Sequence, residues 1–192
     1  MKSKIIFTVI ILCSSVLAYG QTKKPSTAER FKAEYVNQNP QNEAIAGAYL
    51  YDPDPNGANL RESPGGKVIK VIPTNVEWLI DIYEAWNGWV RIDPQIYSEE
   101  SEPIDLQTNN CWIHGSILAS RTRNYGNQTL KFYSSPDSTS TVTFTVSEEI
   151  SVTFLDVKKD WAKVCYTDGS GKKLVGWIEL EWLCSNPYTT CP

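Results

Sequence analysis

Histidine is almost missing from this 192-residue chain: His114 is the only one, and Met1 is the only methionine. One imidazole cannot build a histidine-based metal centre, and the irregularly spaced cysteines offer no thiolate cluster instead, so no metal site is expected. A glycine-rich phosphate loop, a nucleotide fingerprint and EF-hand spacing are also missing, so no cofactor is expected. No apolar run is long: Ile5 to Leu12 is too short to cross a bilayer unaided. Helical periodicity is confined to Thr27–Val36, where Phe31 and Tyr35 share a face at four-residue spacing behind a Thr27 cap. That segment is too short to be stable alone.

Positive charge is also in deficit, with 18 Lys+Arg against 22 Asp+Glu and a net charge of -4. The start of the chain combines Lys2 and Lys4, the Ile5–Leu12 run and Ala18-Tyr19-Gly20. This is the tripartite pattern of a secretory signal peptide over residues 1–20, so the expected address is periplasmic or extracellular, with no stable membrane insertion after cleavage. Leu12 rather than a small residue precedes Cys13, which counts against lipidation. Losing Lys2 and Lys4 would remove two positive charges from the net -4, leaving -6. Long-range attraction of polyanions is then not expected, and nucleic acid is not an expected partner.

Cleavage would leave Cys111, Cys165, Cys184 and Cys191. An even number in an exported chain marks them as candidate disulfide cysteines, with three connectivities open. Cys184 and Cys191 closing a loop around Pro187 would leave Cys111 and Cys165 to join two units; alternatively, Cys191 reaches back into the first unit.

What the chain does contain is a pattern written twice. Ser63-Pro64 and Trp89 recur 72 positions later as Ser135-Pro136 and Trp161, whereas Trp112 and Trp177 are 65 apart. The first copy therefore carries a seven-residue excess between its two tryptophans, and a duplication is recognised before any motif is interpreted. The expected division is a signal peptide over 1–20, an extension over 21–42, a first unit over 43–119 with an inserted loop at 93–110, and a second unit over 120–192. Each unit shows about five short strand-like runs with tight connections, including Trp78–Tyr83, the Asn87-Gly88 turn, Thr141–Val146 and Trp161–Tyr166. That pattern predicts a small barrel or a highly curved sheet.

Asn59-Leu60-Arg61-Glu62-Ser63-Pro64, Trp86-Asn87-Gly88-Trp89-Val90 and Cys111-Trp112-Ile113-His114 together resemble a bacterial SH3-type (SH3b) domain of the cell-envelope group. Gly176-Trp177-Ile178 resembles the closing strand of a second. Cys111 stands where that pattern has glycine, and Lys131-Phe132-Tyr133 lacks its arginine. The resemblance implies an all-β protein of two small SH3-like β-barrels in tandem. It implies an exported, non-catalytic binding module rather than an enzyme, recognising a peptidoglycan peptide or glycan. An interaction or inhibitor module with an envelope protein as partner and an envelope hydrolase are the alternatives.

The candidate ligand-binding residues are Arg61, Trp86, Tyr49, Tyr51 and Tyr83, as a shallow aromatic groove beside an arginine fork suited to a carboxylate. Trp89 is expected in the core. No catalytic residue is assigned. Cys111 and His114 are three apart, and on a strand they face opposite sides, so they form no nucleophile–base pair. Asp81, Glu84, Asp93 and Glu102 are carboxylates without an evident pairing.

Overall fold

The structure, a computed structural model, describes residues 24–35 and 43–189. The export segment expected over 1–20, the later part of the 21–42 extension and Cys191 lie outside the described residues.

Ser26 caps helix α1 (Thr27–Tyr35): its Oγ accepts Glu29 N–H at 3.2 Å, and Glu29 Oε2 accepts Ser26 N–H at 2.6 Å. This reciprocal pair satisfies two backbone donors at the helix start. The regular elements that follow are strands and two 3-10 turns. β1 (Ala46–Leu50), β2 (Ala58–Arg61), β3 (Val68–Ile72), β4 (Leu79–Trp86) and β5 (Trp89–Ile92) lead into a small ladder of β6 (Gln95–Ile96) and β7 (Ile104–Asp105). β8 (Trp112–His114) is followed by a 3-10 turn at Gly115–Ile117 and by β9 (Leu118–Thr122). β10 (Leu130–Tyr133), β11 (Val142–Val146), β12 (Ser151–Lys158), β13 (Trp161–Thr167) and β14 (Lys173–Glu179) follow, then a 3-10 turn at Leu180–Trp182 and β15 (Leu183–Cys184).

These strands do not form two barrels. Thirteen of them make one antiparallel sheet in the order β11-β10-β14-β13-β12-β9-β1-β4-β5-β8-β2-β3, with β15 added on β9. The expected pair of SH3-like barrels is therefore corrected to a single open sheet. The reason lies at β9, whose residues pair with β12 on one side (Ala119 opposite Thr153) and with β1 on the other (Ala119 opposite Tyr49). Units of about 70 residues bury little core alone, and an unpaired strand edge leaves backbone groups open, so a shared central strand answers both costs.

The 72-residue spacing is visible inside this sheet. β2 and β10 begin 72 residues apart, as do β4 and β12 and β5 and β13. The same alternate positions are buried in each: Leu60 and Phe132, Ile80 and Val152, Ile82 and Phe154, Val90 and Ala162. Even the register shifts correspond, after Leu60 and Phe132 and after Ile82 and Phe154. Period-two burial drives this, since one face of each strand is apolar and a one-residue slip would expose it. The β4–β5 hairpin turns on Asn87 (φ 48°) and Gly88 (φ 83°), the left-handed pair that matches strand twist. The 93–110 insertion is tied down where Ile96, fully buried, pairs with Ile104.

The junction of the two halves shares one apolar cluster and includes buried hydroxyls that are satisfied. Ser120 Oγ donates to Cys184 O at 2.8 Å, Thr122 Oγ1 donates to Asn124 Oδ1 at 2.9 Å and accepts Ile150 N–H at 2.9 Å. Such bonds cost little when complete and much when broken, so they hold the register of β9.

Candidate functional site

One face of β4, β5, β8 and β2 gathers the side chains with chemistry. Cross-strand pairs place Trp86 opposite Trp89, Trp89 opposite His114, and Trp112 opposite both Arg91 and Arg61. The Trp89 ring stands edge-on to His114, centroids 5.2 Å apart at 88°. Arg61 lies over the same indole at 5.9 Å, and its Nη1 donates to Gly66 O at 2.7 Å. Trp89, expected in the core, is thus half-buried at the centre of this cluster.

His114 ends β8, and the chain immediately tightens into the Gly115–Ile117 turn, which swings exposed Ser116 back over the imidazole. Ser116 N–H donates to His114 Nδ1 at 3.3 Å, and Ser116 Oγ lies 2.7 Å from the same nitrogen. Because Nδ1 accepts the backbone N–H, a neutral ring carries its proton on Nε2, and the serine hydroxyl donates to Nδ1. Burial pushes the His114 pKa below its usual 6.5, so the ring is a free base at neutral pH. A hydroxyl donating to a neutral imidazole, open to solvent, is a geometry compatible with a nucleophile and its general base. Among the described residues no carboxylate is hydrogen-bonded to Nε2, and the same imidazole caps the 3-10 turn through Ser116 N–H.

This changes the reading of His114. The expectation of no catalysis rests on His114 with the cysteines and on carboxylates without an evident pairing. Cys111 is indeed no partner: it is fully buried, and desolvation drives its thiol up to about 12. Ser116, two residues on, is instead brought round to the imidazole by the turn. The expectation that the chain is not an enzyme is accordingly withdrawn, and with it the non-catalytic binding module. A histidine at a strand end with a hydroxyl two residues later was the signal available in the sequence.

The expected aromatic groove does not assemble as one surface. Tyr49 is buried at the junction of the halves, its hydroxyl 3.1 Å from Ser151 Oγ. Tyr51 is exposed beyond the end of β1. Tyr83 donates to Asp93 Oδ2 at 2.8 Å and lies under Arg91 at 5.3 Å, while Arg91 pairs with Glu84 at 2.7 Å. Trp86 is covered by the protein's own helix: Phe31 of α1 meets it edge-on at 5.3 Å, with Arg30 over its ring at 5.9 Å. Of the five candidates, Arg61 lies over the Trp89 ring and Trp86 stands opposite Trp89 across the β4–β5 hairpin.

The structure also joins Asp81 to Asp93. Burial raises the Asp81 pKa and the Asp93 charge adds to it, while Asp93 accepts from Tyr83 and from Gln95 N–H at 2.6 Å. Cys111 and Cys165 are free thiols and Cys184 is disulfide-bonded, so no bridge links Cys111 to Cys165. No group of three or more potential metal ligands occurs among the described residues.

No family model matches the chain, and no curated protein matches it. Among solved structures it is similar to NlpC1 from Trichomonas vaginalis, at 18% identity and TM-score 0.28, over 77% of this chain and 47% of that one. It is similar to NlpC2 from Trichomonas vaginalis at the same identity and TM-score, over 73% of this chain and 48% of the other. The chain spans about half the length of each. With no family model matched and no barrel closed, the likeness to tandem bacterial SH3-type domains is set aside.

Proposed function

We propose that the chain is a hydrolase of the cell envelope acting on an acyl bond of a peptide-bearing wall polymer, with Ser116 as nucleophile and His114 as its base. The observation that carries this reading is the 2.7 Å contact between Ser116 Oγ and His114 Nδ1 on an open face. The export-type start of the sequence supports a periplasmic or extracellular address. In the reaction the Ser116 Oγ–acyl bond forms as its proton passes to Nδ1, and His114 returns that proton to the departing amine. Water then opens the ester with the same base.

Arg61 supports the choice of substrate. It is half-exposed and uses one guanidinium nitrogen on Gly66, which leaves further donors of its fork for a substrate carboxylate beside Trp89. The test is release of soluble fragments from purified peptidoglycan by the wild-type chain, Ser116→Ala and His114→Ala. Turnover by the wild type that is lost in both variants, with unchanged melting temperature, supports the reading. A folded wild type without turnover, or Ser116→Ala with wild-type turnover, overturns it.

A further inference from the structure

A groove of about 750 Å³ lies between α1, the turn after β2, strand β3 and the segment following β7. It contains neither Ser116 nor His114, and nothing in the reading above uses it. Its volume falls within the range of ligand-binding clefts. The walls carry charges of both signs: Lys32 from α1 and Lys70 from β3, Glu62 from the turn and Asp105 from β7. Among the described residues, Lys32, Lys70 and Glu62 have no ion-pair partner, and Asp105 is engaged through Oδ1 with Gln107 N–H at 2.8 Å. Opposite charges that share a groove without pairing are left to meet charges of a ligand.

Only two apolar side chains, Ile69 and Leu106, line the groove. That suits a short aliphatic side chain rather than a lipid or an aromatic cofactor. β3 ends the sheet, so its outer edge has no strand partner among the described residues. An edge of this kind accepts an extended backbone, and Ile69 and Lys70 of that edge strand line the groove.

From these features we infer that the groove binds a short extended peptide carrying both a free amine and a free carboxylate, the amine toward Glu62 and Asp105 and the carboxylate toward Lys32 and Lys70. Binding here is independent of turnover at Ser116. A purely anionic ligand would meet Glu62 and Asp105 as well as the lysines, and a purely cationic one the reverse, so the groove selects a zwitterion by the cost of like charges.

The probe is tetra-alanine with free termini, set against the same peptide acetylated and amidated. Binding is followed on the full chain by amide chemical shifts of Ile69, Lys70, Asp105 and Leu106. The free peptide is expected to shift these amides, and blocking both termini to weaken binding by about tenfold, equivalent to one well-made charged contact. Lys32→Ala combined with Lys70→Ala, both exposed positions, is expected to weaken the free peptide by part of that factor, since its amine keeps Glu62 and Asp105, while leaving the remaining amide spectrum unchanged. Equal binding of free and blocked peptides, binding unaffected by the double substitution, or no shift at these amides up to about 10 mM peptide would each overturn the inference.

Discussion

Phe31 stands edge-on to Trp112, ring centroids 5.0 Å apart at 70°, and the same ring meets Trp86 at 5.3 Å. One side chain of a nine-residue helix thus fills the space between two tryptophans of the sheet. A helix of that length has no stability of its own, so α1 is held by this contact and by the approach of Thr27 to the Gly65 turn.

Phe31→Ala is therefore expected to release α1 while leaving the sheet folded. Removing a buried aromatic costs about 3 kcal/mol, more than a short capped helix can supply from its own bonds. Hydrogen exchange should show the α1 amides losing protection, and Trp86 emission should shift to the red. Unchanged α1 protection would mean that the helix is held by something other than Phe31.

How far the sequence discloses this site depends on distance along the chain. Alternation over Ile80, Ile82, Val152 and Phe154 marks the strands because burial of one face acts residue by residue. The 72-residue spacing of Trp89 and Trp161 marks matched positions. Neither states which edges pair. The bonds of Ala119 with Tyr49 on one side and Thr153 on the other, which turn two expected barrels into one sheet, are choices among many chemically equal edges. The Ser116–His114 contact is local but hidden by a change of geometry. Extrapolating strand alternation through His114 ignores the tightening at Gly115, where an added Cβ would meet Phe154 O at 2.7 Å. Phe31 was visible as an apolar face, but its tryptophan partners lie more than 50 residues on.

His114 sets a pH dependence. Its folded pKa is depressed below 6.5 by burial, so the unfolded chain binds this proton more readily than the folded one. Its contribution to stability is fully present above pH 6.5 and is lost as pH falls through the folded pKa. The free-base requirement for Ser116 gives turnover an acid limb in the same window. Denaturant titrations from pH 5 to pH 8 should show stability falling on the acid side of about 6.5, and His114→Gln should remove that part of the slope. A slope untouched by the substitution would assign it to other groups.

Asp156 titrates in the opposite sense. Desolvation raises its pKa above 3.8, against the smaller lowering effects of the Val157 N–H at 2.9 Å and of Lys163 and Lys158. A carboxyl whose folded pKa is raised favours the folded state when protonated, so that contribution is present below pH 3.8 and is lost as pH rises through the folded value. Asp156→Asn keeps an acceptor for Val157 and removes the charge. It should be more stable than the wild type at pH 7, with the gain shrinking as the pH is lowered toward 3.8. An Asn variant less stable at neutral pH would show that the lysine attraction outweighs desolvation.

Cysteine chemistry separates the free thiols. Cys111 is fully buried with its thiol pushed up to about 12, whereas Cys165 is half-buried on β13. Only the thiolate alkylates, and only if the reagent reaches it. Iodoacetamide on the native, unreduced chain should label Cys165 ahead of Cys111, and both at similar rates in denaturant. Mass spectrometry of the peptides reads this directly; native labelling of Cys111 at the Cys165 rate would mean that β8 opens readily.

Gly176 on β14 gives the sharpest test of packing. A Cβ built there would lie 2.7 Å from Phe132 Cβ and 2.6 Å from Thr143 Oγ1, closer than real side chains approach. Phe132 cannot retreat, because it is fully buried and stacked on Phe144 with centroids 4.1 Å apart. Thr143 is fixed as well, donating from Oγ1 to Phe132 O at 3.1 Å. Gly176→Ala must therefore move β10 or β11 away from β14, and overpacking of this kind costs about 1–3 kcal/mol despite the favourable entropy of losing a glycine. A chemical denaturation midpoint lowered by that amount, with no change at the Ser116–His114 pair, is the expected result. An alanine variant as stable as the wild type would show that the β10–β11 hairpin at the sheet's end shifts freely, and that Phe132 is not a fixed part of the core.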